Sequence, residues 1–189
     1  MSNNVNNVTT GKPKIGGAIF YAPVGTTLPT DATMALAAAF VNCGYVSEDG
    51  VTNSFAPATD KVKAWGGDTV KVLQTDRPDD YSFTLIETLK KEVRKVVYGD
   101  NNVTEDASGN LTIKATAEPL ESRSWVIDMI VEGGRADRIV IPNGTLSDLG
   151  DIVYKDDDIT GYAVTLSDVP DANGVYHYEY ISAEPEISG

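Results

Sequence analysis

The sequence predicts a mainly β protein, an antiparallel β-sandwich or open barrel with one amphipathic helix on its flank. Three observations carry this. Val, Ile and Thr number 20, 12 and 18 against only 10 Leu, a balance that suits pleated strands better than helices. Short runs of alternating apolar and polar residues recur between turn signals. Only one stretch has strong helical spacing, so the βαβ alternation of a parallel sheet is missing. At 189 residues the chain is one domain's worth.

The elements follow in order. Residues 1–14 are Asn- and Thr-rich and read as a flexible N-terminal arm, followed by a β domain over 15–182 and a C-terminal tail over 183–189. Residues 15–22 form a first strand, opened by Gly16 and Gly17, and 40–46 a second, closed by a turn at Glu48, Asp49 and Gly50. Residues 33–39 are compatible with a helical turn. Residues 50–67 make a long excursion, too long for a simple hairpin turn, and carry Phe55 and Trp65, which a solvated loop has little reason to hold. Strands follow at 69–75, after Gly66 and Gly67, and at 81–86, where Tyr81, Phe83 and Leu85 share a face. From 87 to 98 the apolar residues fall at Leu89, Val93, Val96 and Val97, the three-and-four spacing of an amphipathic helix. Gly99 stands just past its end, and Glu87 and Lys91 are spaced as an i,i+4 pair. Residues 111–117 alternate cleanly. Residues 125–131 are apolar on both faces except at Asp128, as expected of a central, doubly covered strand. Strands at 138–141, 162–166 and 175–181 complete the set, with Asn143-Gly144 and Asn173-Gly174 as turn signals.

Charge and composition exclude several classes. The formal net charge is -13, and it is not evenly spread. Residues 1–99 hold ten basic and ten acidic side chains; residues 100–189 hold five basic and eighteen acidic. Such a chain is a poor candidate for gripping nucleic acid, which needs clustered Lys and Arg. One Cys and one His leave no internal disulfide and no multi-histidine or multi-cysteine metal site. No phosphate-binding Gly-rich loop and no nucleophile elbow occurs. His177 alternates with Tyr176, Tyr178 and Tyr180 and reads as a structural or surface residue; Cys43 reads as a small buried hydrophobe. The triplet Asp156, Asp157 and Asp158 lacks the alternate ligands, central Gly and terminal Glu of a calcium loop. No apolar run is long enough to span a bilayer and the polar N-terminus lacks the apolar region of a signal peptide. The expectation is therefore a non-enzymatic protein with no cofactor and no membrane partner.

Three stretches read together resemble the major tail tube proteins of long-tailed, non-contractile (siphovirus-type) phages: GAIFYAPVGTTLPTDATMAL, FVNCGYVSEDGVTNSF and DRPDDYSFTLIETLKKEVRKVVYGDNNVT. They cover about residues 17–104. The third is the most specific, an alternating strand running straight into a charged helix and a Gly-Asp-Asn turn.

The resemblance implies a β-sandwich with a flanking helix, a fold shared with the type VI secretion tube. It implies six-membered rings stacked into a hollow tube around a tape-measure protein, capped by tail-end and terminator proteins, made in the host cytoplasm and residing in the virion. Double-stranded DNA passes through such a tube without tight binding. Within that frame Phe55 and Trp65 are candidates for reaching the next subunit, against the alternative of a loop folded back on its own core. Asp156, Asp157 and Asp158 are candidates for an acidic lumen or surface, since like charge keeps phosphates off a wall within a Debye length of ~8–10 Å. A competing expectation is a monomeric carbohydrate- or receptor-binding β-sandwich with Trp65, Trp125 and the Tyr176, Tyr178 and Tyr180 face as a stacking platform.

Overall fold

The computed structural model describes residues 3–183; the first two residues of the expected arm and residues 184–189 of the expected tail lie outside it. In chain order the strands are β1 (Lys12–Pro13), β2 (Ile19–Pro23), β3 (Val41–Asn42), β4 (Val46–Ser54), β5 (Ala58–Lys63), β6 (Thr69–Asp76) and β7 (Asp80–Leu85). The helix α1 (Lys91–Tyr98) follows, then β8 (Val103–Glu105), β9 (Leu111–Ile113), β10 (Arg123–Ile130), β11 (Ala136–Leu149), β12 (Tyr162–Asp168) and β13 (Tyr178–Ile181).

Nine strands make one antiparallel sheet in the order β3-β2-β10-β11-β12-β7-β4, with β1 added beside β10 and β13 beside β11. Strand β11 serves both halves of this sheet. Residues 136–144 pair with β10, and 144–149 pair with β12. A long strand that changes partner midway is one way a sheet folds over to face itself. The two halves then share a core: Ile19 and Tyr21 of β2, Trp125 and Ile127 of β10, and Phe83, Leu85, Val164 and Leu166 from β7 and β12. The end strands β3 and β4 do not pair, so the sheet does not close into a barrel. The expected antiparallel, sandwich-like class with one flanking helix is the observed one.

The alternation read from the sequence is what packs. In β7, Tyr81, Phe83 and Leu85 are buried while Ser82 faces solvent. Each such large side chain contributes ~1.5–3 kcal/mol by leaving water. Strand β10 is buried on both faces, Asp128 included, and lies between β2 and β11. Asp128 is tolerated there because Arg138 of β11 grips it with two hydrogen bonds, Nε to Oδ1 at 2.6 Å and Nη2 to Oδ2 at 2.8 Å.

Several boundaries differ from expectation. The helix begins at Lys91 rather than 87, and buries Val93, Val96 and Val97. Glu87 is engaged elsewhere: its carboxylate accepts the Tyr45 backbone N–H at 2.9 Å. The expected Glu87–Lys91 pair is therefore absent; Glu87 lies 3.7 Å from Lys90, and Lys91 meets Glu105 at 3.0 Å. The C-terminus is as expected, with Gly99 at φ 88 donating its N–H to Lys95 O. No helical turn forms at 33–39. Asp31 Oδ1 takes the backbone N–H groups of Thr33 and Met34 instead, an Asx turn that competes with helix. Residues 40–46 split into β3 and the start of β4. Glu48, Asp49 and Gly50 do not end a strand but bulge from β4, whose register against β7 jumps from Val46↔Leu85 to Val51↔Phe83. The expected strands at 111–117 and 175–181 shorten to β9 and β13. Asn143-Gly144 lies within β11 rather than at a turn. In the arm, residues 5–7 make one 3-10 turn, and Lys12 and Pro13 pair with Ile130 and Met129.

Candidate assembly surface

The 50–67 excursion is not a loop. Its first residues complete β4 and its remainder becomes β5, one leg of a hairpin with β6. The tip turns at Gly66 (φ 114) and Gly67 (φ 98), a backbone conformation that favours glycine. Ala64 N–H reaches Asp68 O at 2.8 Å and Gly67 N–H reaches Ala64 O at 3.0 Å.

Both legs are exposed along their whole length. Directly opposed residues of an antiparallel pair share a face, so the register assigns the two faces. Asp60 opposes Leu73 and Val62 opposes Lys71 on one; Thr59 opposes Gln74 and Lys61 opposes Val72 on the other. Along the unbulged leg β5, Lys63 alternates onto the face of Lys61, at a register shift where it opposes Thr69 and β6 carries the extra residue. Among the described residues, each face thus carries exposed apolar side chains, Val62 and Leu73 on one and Val72 on the other, and Val70 is exposed as well. A lone two-stranded hairpin is marginal in water.

Phe55 and Trp65 are separated by the hairpin's length. Trp65 stands at the tip, 106% exposed. Phe55 stands at the root, half-buried, with the Arg77 guanidinium 3.9 Å above its ring and the rings of His177 and Tyr176 at 5.8 and 6.3 Å. Phe55 thus packs on its own chain, whereas Trp65 is fully exposed.

The root also holds a polar cluster that sequence reasoning missed. Asp79, 1% exposed, accepts from Asn53 Nδ2 at 2.7 Å and is hydrogen-bonded to His177 Nδ1. Asp80 Oδ1 accepts from Ser167 Oγ at 2.6 Å. Asp168, 9% exposed, has no hydrogen-bond partner among the described residues on either carboxylate oxygen. Burial pushes its carboxyl up to about 8, and the nearby charges of Asp79 and Asp80 add to the shift. The sequence did carry a signal. Asp79 is in phase with Tyr81, Phe83 and Leu85, and Asp168 with Tyr162, Val164 and Leu166, so both acids continue buried faces.

Asp156, Asp157 and Asp158 sit in the 150–161 connection between β11 and β12, all exposed. Val153, Tyr154 and Ile159 beside them are exposed too. This connection enters β12 at Tyr162, which pairs with Leu85, whereas the hairpin leaves at the other end, where Asp80 pairs with Ser167. Hairpin and acidic loop thus lie at opposite ends of the β12-β7 ladder.

Cys43 is fully buried and its thiol is pushed up to about 12 by burial. His177 stacks edge-on against Tyr81 and Phe55. Trp125, 1% exposed, is in the core and belongs to no stacking platform. Tyr178 and Tyr180 stack on each other, with centroids 6.2 Å apart. Among the described residues no group of three or more His, Cys, Asp or Glu converges to hold a metal ion, and no helix is long and apolar enough to cross a membrane. One groove, open rather than enclosed, is bordered by Asp31, Thr33, Glu179 and Tyr180.

The described residues thus form an antiparallel, sandwich-like sheet that carries a hairpin exposed on both faces. The sequence model of the family described as phage tail tube protein matches residues 1–188, and the chain belongs to that family. Its role is that of a structural component of a phage virion's tail tube. Comparison with curated proteins finds no match.

Proposed function

We propose that copies of this chain close into rings of six that stack into the tail tube, and that the tube conducts the genome into the host. The observation that carries this is the β5-β6 hairpin, exposed on both faces with apolar residues on each. Residues left in this state are covered by neighbouring copies in the tube. Tape-measure protein fills the bore before delivery, and tail-end and terminator proteins bound its length. The siphovirus type follows from the resemblance in residues 17–104.

The charge distribution supports the conduit. All of the excess acid lies in residues 100–189. A wall of that sign keeps duplex DNA mobile, whereas clustered Lys and Arg would release counterions and hold it. The protein accordingly has no measurable affinity for duplex DNA at physiological salt. The arm at residues 1–14, which carries the exposed Val5 and Val8, orders fully when a second ring docks. It is cleaved by protease in monomers and protected in tubes.

The direct test is light scattering followed by negative-stain microscopy of concentrated protein, alone and seeded with tail fragments. Rings or tubes are expected. A variant in which residues 62–70 are replaced by a two-residue turn should fold but remain monomeric. A wild-type protein that stays a solitary particle under every seeded condition ends the reading.

A further inference from the structure

The hairpin needs a receptor, and the molecule offers one at its opposite end. We propose that the hairpin face bearing Lys61, Lys63 and Val72 docks onto the 151–160 loop of a second copy, joining subunits head to tail along the strand direction. This rests on the self-assembly reading above and adds to it the identity of the receiving surface.

Three observations support it. The first is charge. Lys61 and Lys63 make no ion pair among the described residues, and no acid shares the stretch of their face opposite Val72. Asp156 and Asp157 are likewise unpaired, and Asp158 accepts only the adjacent Ile159 N–H. The second is apolar surface. Val72 and Trp65 on the hairpin, and Val153, Tyr154 and Ile159 on the loop, are all exposed. An acidic wall that merely repelled DNA has no use for three exposed apolar side chains among its aspartates. A docking surface does, because interface cores are apolar and their rims charged. The third is position. The hairpin leaves the β12-β7 ladder beside Asp80 and Ser167, and the loop enters it beside Leu85 and Tyr162. Over that span the strands separate the two by roughly 17 Å at ~3.4 Å per residue. The hairpin is exposed along its whole length, so it is not folded back onto its own loop. A surface at one end that fits a different surface at the other end makes a heterologous contact, which closes into a ring or propagates as an open stack according to the rotation it imposes, and a join along the strand direction suits the stack.

The test is charge reversal and rescue. Lys61→Glu with Lys63→Glu sets acid against acid; Asp156→Lys, Asp157→Lys and Asp158→Lys together set base against base. All five side chains are exposed, so each variant should melt like wild type. Each set alone should raise the subunit concentration needed for tube formation by about tenfold or more, the scale on which like-charge contacts discriminate partners. The chain carrying both sets should return to near the wild-type value. A second measurement is direct: Lys63→Cys and Asp157→Cys chains, mixed in assembled tubes, should cross-link to each other through a short bifunctional maleimide, with buried Cys43 silent. If wild type forms tubes while the reversals leave assembly unchanged and no cross-link forms, the receptor is elsewhere and the tail-tube reading stands. If wild type forms no tubes, both fall together.

Discussion

The indole Nε1 of Trp125 donates to the carbonyl oxygen of Gly144 at 3.0 Å, across the seam where β11 changes partner from β10 to β12. The glycine is required by crowding rather than by a turn. A Cβ placed there would meet Asp168 Oδ1 at 2.8 Å, Trp125 Cδ1 at 3.1 Å and Ile141 Cγ2 at 3.3 Å. Gly144→Ala should therefore destabilise the fold by ~1–3 kcal/mol, the usual cost of overpacking a filled site. Trp125→Phe should cost a similar ~1–3 kcal/mol, since the Gly144 carbonyl loses its donor in a buried place. Urea denaturation checks both; a Gly144→Ala midpoint equal to wild type would show the seam to be soft.

The buried acid Asp168 makes stability depend on pH in a defined direction. Its carboxyl is pushed up to about 8 by burial, with Asp79 and Asp80 adding to it. In the unfolded chain it titrates near ~3.9. The folded state therefore holds the proton more tightly than the unfolded state between those values. The group's contribution is fully present below ~4 and is lost as pH rises through about 8. Asp168→Asn, a neutral isostere, should melt at least a few degrees higher than wild type at pH 8 and close to it at pH 4. Parallel melting profiles for the two proteins from pH 4 to 9 would rule this out.

What was legible in the sequence tracks what is local. The alternation of Tyr81, Phe83 and Leu85 and the spacing of Val93, Val96 and Val97 are facts about neighbouring residues, and both pack as expected. The errors lie where a distant partner decides. Glu87 has helical spacing, but the Tyr45 N–H draws its carboxylate away. Asn143-Gly144 has turn composition, yet a close approach by Trp125 and Asp168 explains the glycine and the strand runs on. At the candidate surface, the aromatic anomaly of the 50–67 segment was readable. That Trp65 would stand at a tip and Phe55 at a root was not, because the β5-β6 register sets it.

Arg138 holds two regions at once. Its Nε and Nη2 grip Asp128, and its Nη1 donates to the carbonyls of Met34 at 2.6 Å and Asp31 at 3.2 Å. Arg138→Met leaves Asp128 buried with only Lys14, 3.5 Å away. The loss should be ~3–5 kcal/mol, the cost of an uncompensated buried charge. Adding Asp128→Leu removes that charge and should recover most of it, since an apolar pair often replaces a buried ion pair without penalty. The double variant should still be cut faster by protease near residues 31–34, because that loop has lost its anchor. Recovery of both stability and protease resistance would deny Arg138 its second role.

The two tryptophans report on different things, which allows assembly to be followed without a label. Trp125 is buried in the monomer and Trp65 is fully exposed. If neighbouring copies cover the hairpin, only Trp65 changes surroundings when tubes form. Its emission should move to the blue and its quenching by acrylamide should fall several-fold, because an indole leaving water for a packed contact is shielded. Trp65→Phe should remove the spectral change while leaving the melting temperature where it was, as the side chain is fully exposed. Trp65→Ser should go further and weaken assembly itself, since an exposed aromatic at the tip of a projecting element is the kind of residue that anchors an interface. Tubes that form with Trp65 still red-emitting and fully quenchable would place the tip in solvent, and the contact would then have to lie along the legs of the hairpin through Val62, Val72 and Leu73.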